Sequence, residues 1–127
     1  MTNTLATIKK AGKHPIIVRK LDLGEFDAIY AGAKFDVNVL PPPELVAEYG
    51  VAAERLQASV KEEGADIDAV WEDWEQFRIS WYAQLWQNIS EDESRQIRDA
   101  LPEIAWDWLC MRSSEMVREF RESKLKN

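Results

Sequence analysis

Cysteine and histidine are almost absent: the chain of 127 residues holds one of each, Cys110 and His14. A single thiol excludes an intrachain disulfide framework and fits a reducing compartment. One histidine and one cysteine at opposite ends of the sequence cannot supply a His/Cys metal site. Long apolar runs are missing too, and the opening MTNTLATIKKAGKHP has no apolar signal core, so neither a membrane span nor a secretory signal is expected and the expected location is the cytoplasm. No P-loop, dinucleotide fingerprint or nucleophile elbow occurs. Cys110, set in the apolar run WDWLCMR, reads as a buried, inert thiol, and His14 lies in a stretch with nothing to hold a general base in register. No enzymatic activity and no cofactor are therefore expected.

Basic residues are also scarce. Residues 41–127 carry ten Lys/Arg against nineteen Asp/Glu, whereas residues 1–40 carry six against four. The larger part repels nucleic-acid phosphate, and its aromatics lie among acids, as in Trp71-Glu72-Asp73-Trp74-Glu75, so no nucleic-acid partner is expected. A basic or neutral protein surface suits this charge better. Two acidic groups, Glu72/Asp73/Glu75 and Glu91/Asp92/Glu93, could in principle hold a hard cation, but neither has calcium-loop spacing. They read as a solvated face and a helix start, and no metal is expected.

What the chain does have is tryptophan, six of them, four within residues 66–89. At helical spacing Ile67, Val70, Trp74, Phe77, Trp81 and Leu85 form one face, expected to be core. Trp71, Tyr82 and Trp86 fall on a flank outside that stripe. Tryptophan and tyrosine dominate protein-binding hot spots, so these three, with Trp106 as a second patch, are the expected protein-contact residues. Trp106 and Trp108 cannot face the same way on a helix, so either two partners within the fold receive them or one points outward.

In chain order, residues 1–14 read as a flexible arm with one helical turn around Leu5–Lys10. Residues 15–40 read as a strand–helix–strand unit: IIVRKL, then a helix capped by Asp22 and Glu25 and carrying Leu23, Phe26, Ile29 and Tyr30, then VNVL. The first strand pairs either with the second, as a small ribbon, or with another subunit. Pro41, Pro42 and Pro43 separate this unit from a helical region, residues 41–127. That region has helices from Pro43 to Glu63 (with Gly50 a candidate bend), from Asp66 to about Ile89, from Glu91 to Ala100 and from Pro102 to Lys124. Core positions in the last are expected at Ile104, Ala105, Trp108, Leu109, Met111, Met116, Val117 and Phe120. The fold class is mainly α: a small N-terminal β element, then a bundle of about four helices.

The stretch HPIIVRKLDLGEFDAI, a strand Ile16–Lys20 ending in a basic residue and followed by Leu21, Glu25 and Ile29, resembles a pattern near the start of phage tail assembly chaperones. The small, acidic, tryptophan-rich helical remainder is similar in character. The resemblance covers the first third of the chain. It implies a non-catalytic factor that coats the tape measure protein during tail assembly, in a family often made in a short and a frameshifted long form. Two other classes share the same features: an acidic inhibitor or immunity-type protein masking a basic surface, and a structural subunit of a viral assembly. The chaperone and subunit readings imply a homo-oligomer or a multi-subunit assembly, and the inhibitor reading a monomer.

Overall fold

The computed structural model describes residues 4–11 and 14–126. Helix α1 (Thr4–Ala11) precedes strands β1 (Val18–Asp22) and β2 (Lys34–Asn38), which are followed by α2 (Pro43–Lys61), α3 (Ile67–Leu85), α4 (Glu91–Ala100) and α5 (Glu103–Leu125). The protein is mainly helical, with an antiparallel two-stranded ribbon at its N-terminal end. Of the expected arm, positions 1–3 and 12–13 lie outside the described residues. At 4–11 the helix is longer than the single turn expected.

The two strands pair with each other, Val18 opposite Asn38 through Asp22 opposite Lys34. Leu21 and Phe35 meet on the buried face, and Lys20 and Asp36 form an ion pair on the other. The outer edge of β2 is covered from within the chain. Trp86 forms a bridge to Val37, and the Gln87 amide donates to the Asp36 carbonyl, so the middle of this edge is met from within the chain.

Between the strands the expected helix is not present. Asp22 and Glu25 do make the reciprocal capping box, but the turn it starts ends after Glu25. Asp27 is extended (φ −152°), and its carboxylate caps a second single turn, Ala28–Tyr30. Two short 3₁₀ turns therefore replace one helix, because an aspartate able to bond the backbone two residues on competes with helix continuation. Ile29, expected on the helix's apolar face, is exposed. The double turn is tight: a Cβ on Gly24 would lie 2.7 Å from the Ala31 Cα.

The helix starts follow local chemistry. Pro43 and Pro102 lie at the starts of α2 and α5, Asp66 caps α3 through the Ala69 amide, and Ser90 with Glu93 forms the capping box of α4. Gly50 does not divide α2, which is one helix from Pro43 to Lys61. Helix α3 stops at Leu85, earlier than its apolar pattern suggests, because Trp86 turns extended to reach β2 and Asn88 adopts a positive φ of 62°. Helices α2 and α3 run side by side as a hairpin. Its seam is aromatic, with the Tyr49 ring 4.8 Å from Trp81 and 5.7 Å from Trp74.

Candidate functional site

Three of the four expected contact residues are core. Tyr82, Trp86 and Trp106 are each 1% exposed, and the expectation that they form a binding face is wrong. On α3, Ile79, Tyr82 and Trp86 form a second buried stripe beside Trp81 and Leu85, so the C-terminal half of the helix is enclosed on two sides. One side faces α2 and the other faces α4 and α5. Trp86 sits at the junction, its ring 5.1 Å from Phe35, 5.4 Å from Tyr82 and 5.8 Å from Trp106.

Burying so much indole requires an acceptor for each N–H. Trp81 Nε1 donates to the Leu45 carbonyl (2.8 Å) and Trp86 Nε1 to Ser113 Oγ (3.0 Å), while Ser113 itself donates to the Leu109 carbonyl. Trp106 Nε1 donates to Glu75 Oε1. Trp108, two residues on, packs instead against Phe26 at 5.6 Å. Both alternate tryptophans of α5 thus have partners within the fold.

Glu75 is the inner end of a charge network. It accepts from Arg78 (2.7 Å), which also bonds Asp107 (2.8 Å), and Arg98 lies 3.7 Å away. Burial alone pulls the Arg78 guanidinium down, but its bonds to Glu75 and Asp107 outweigh this and hold it above its ordinary value. Glu72 bonds Gln76 instead, and among the described residues no group of three or more His, Cys, Asp or Glu side chains converges to hold a metal.

Cys110 and Tyr82 lie in the same interior. Burial raises both, the thiol from 9.0 and the phenol from 10.0, with Arg78 partly opposing the first and the Ser114 hydrogen bond the second. Both stay protonated in the folded chain while the unfolded chain ionises, so the stability they contribute is present below about pH 9 and lost above it. Denaturant midpoints are expected to be flat from pH 7 to 8 and to fall between about pH 9 and 11. Replacing Cys110 with alanine should flatten the first part of that fall. A thiol reagent should label Cys110 only at the rate of unfolding.

With Trp81, Trp86 and Trp106 buried, two surfaces stand out. The first is the outer half of the α2–α3 hairpin. Ile67 (42% exposed) and Trp71 (50% exposed) stand four residues apart, on one face of α3. Ile67, expected in the core, is exposed because the N-terminal half of α3 projects beyond the elements that enclose the rest. Trp71 is the one expected contact residue that is exposed. Residues 51–75 carry eight acidic side chains and two basic ones. Replacing Trp71 with alanine should change the unfolding free energy by no more than about 0.5 kcal/mol in a denaturant titration.

The second surface has no counterpart among the sequence expectations. A groove of about 690 Å³ opens between the Val39–Ala47 segment and the last turns of α5. Leu40, Pro43, Val46, Val117, Phe120 and Leu125 line it, and Arg118, Arg121, Lys124 and His14 edge it. No carboxylate belongs to its lining. Phe120, expected as core, is a half-buried groove residue, and Val46 beside it is exposed. Ile104 and Met111, also expected as core, are exposed elsewhere on α5. Arg19 and Lys124 both approach the Phe120 ring, at 5.8 and 5.4 Å, and His14 Nε2 donates to the Leu40 carbonyl. The available signal was the basic ending RESKLKN next to Val117 and Phe120, but the other wall comes from residues 70 or more positions earlier.

The protein thus has two part-apolar surfaces of opposite charge. Among the described residues, no helix is long and apolar enough to cross a membrane. Comparison with protein-family models, with curated proteins and with solved structures gives no match.

Proposed function

We propose that the protein is a non-catalytic binding factor of the assembly-chaperone kind, which holds an amphipathic helical segment of a larger protein in the groove between residues 39–47 and the end of α5. The groove is the observation that carries this reading: an open apolar floor with basic edges and no lining carboxylate. An apolar helix face flanked by acidic side chains matches it in both respects. The tape measure protein is the client implied by the resemblance of the N-terminal third to tail assembly chaperones, and the cytoplasm of the producing cell is where such a factor acts. No cofactor or nucleic acid enters this role.

The test is co-expression with a long helical tape measure protein. A soluble complex is expected, reduced by Phe120→Glu and by the exposed-site pair Arg121→Glu/Lys124→Glu, both checked for native helix content. A helical protein equally insoluble with and without the factor, or groove variants that capture it as well as the natural chain does, would overturn the proposal. A second reading, an inhibitor that masks a basic protein, draws on a different observation: Trp71 and Ile67 exposed amid the acids of the hairpin. It requires a monomer that captures a basic enzyme one to one and loses it on Trp71→Ala.

A further inference from the structure

The two surfaces complement each other. The hairpin offers Ile67 and Trp71 on one helix face, with Asp68 and Glu72 beside them. The groove offers Val46, Val117 and Phe120, edged by Arg118, Arg121 and Lys124. In each, an apolar strip lies next to charges of one predominant sign, and the signs are opposite. Complementary charge steers and orients association, while apolar contact supplies most of its strength.

One molecule cannot make this contact with itself. Val46, in the first turn of α2, lines the groove, and the outer end of the hairpin begins where α2 ends at Lys61. Fifteen residues of continuous helix separate Val46 from that outer end, about 22 Å at 1.5 Å per residue, and Trp71 stands about one turn back from it on α3. The same rigid helix thus holds the two surfaces apart.

We propose that the occupant of the groove, when no client fills it, is the outer α2–α3 hairpin of a second copy of this chain, with Trp71 docked against Phe120 and Val117. This rests on the groove being a protein-docking surface, as the proposed function requires. The contact is heterologous: the patch used on one copy differs from the patch used on the next, so each dimer keeps one free hairpin and one free groove. Association is open-ended unless the geometry closes a ring. A client in the groove competes with the neighbouring copy, so client loading breaks the self-assembly down.

Two variants of the full chain and their mixture test this, read by light scattering coupled to sizing, with circular dichroism to confirm folding. The natural chain is expected to rise in mass above the 14.7 kDa monomer as concentration increases, and to do so less at high salt. Trp71→Glu removes the hairpin's anchor, and Arg121→Glu/Lys124→Glu reverses the groove's edge. Each should weaken self-association at least about tenfold, the effect of losing one interface anchor. Mixed in equal amounts, the two should recover a dimer and nothing larger, because one supplies an intact groove and the other an intact hairpin. A natural chain that stays monomeric at every concentration, a Trp71→Glu chain that still assembles, or a mixture that stays monomeric would each overturn the proposal. The client separates this from the proposed function: Trp71→Glu should keep client capture while losing self-association, whereas the groove variant should lose both.

Discussion

Replacing Trp86 with alanine is expected to cost about 3–5 kcal/mol, the range for deleting a large buried aromatic, and to leave little folded protein at physiological temperature. The size of the loss follows from the position. Trp86 is surrounded by Phe35, Tyr82 and Trp106, and its N–H holds Ser113. Its backbone also covers the edge of β2 through the bridge to Val37. One truncation therefore opens a cavity where the ribbon, α3 and α5 meet and leaves the Ser113 hydroxyl without the donor it accepts from. Urea titration followed by circular dichroism measures the effect. A variant with native stability would mean that Trp86 is a surface residue after all. Trp86→Phe should recover part of the loss by filling most of the cavity without replacing the N–H.

The second large effect is expected at Glu75. Replacing it with alanine leaves the Trp106 N–H with no acceptor and removes the nearest counter-charge of Arg78, whose side chain is only 14% exposed. Losing one partner of a buried pair costs about 3–5 kcal/mol when the site is dry, and the half-exposed Asp107 keeps part of the compensation here. A loss of about 2–4 kcal/mol is expected. Glu75→Gln keeps an oxygen for the indole and removes only the charge, so it should cost markedly less in the same titration. Equal losses from the two substitutions would assign the whole effect to charge and none to the Trp106 hydrogen bond.

Features that depend on a few neighbouring residues were legible in the sequence. The caps at Asp66 and Ser90 and the prolines opening α2 and α5 each rest on chemistry within one segment, whereas the partner of the first strand was open in the sequence, and the second strand lies at Lys34–Asn38 instead of VNVL. The turn pair after Asp22 was legible only in its first half. The capping box pointed to a helix, and Asp27, an equally good cap five residues later, divided it.

The faces of α3 differ from the sequence expectation for a different reason. A hydrophobic stripe gives the direction in which a helix buries itself but not the length over which it is buried. Ile67 and Trp71 precede the enclosed part, while Tyr82 and Trp86 lie where α4, α5 and β2 surround the helix on its second side. Ile79, fully buried, joins Tyr82 and Trp86 at three- and four-residue spacing, and that second stripe was the overlooked signal. Small polar residues were another: Ser94 and Ser113, buried at helical positions, bond the Ile79 carbonyl and the Trp86 indole. The acidity of the whole chain also concealed a local reversal. The net charge points to a basic or neutral partner, but the groove formed by α5 and the triple-proline segment is basic at its edge.

The central claim is that binding resides in the groove and the outer hairpin, not in the tryptophan cluster. Hydrogen–deuterium exchange of the full chain, compared between dilute and concentrated samples, tests it most directly. Slower exchange is expected at residues 43–47, 66–72 and 117–125, with residues 79–86 and 105–110 unchanged because they are already enclosed. Protection centred on residues 79–86, or the same exchange at every concentration, would contradict it.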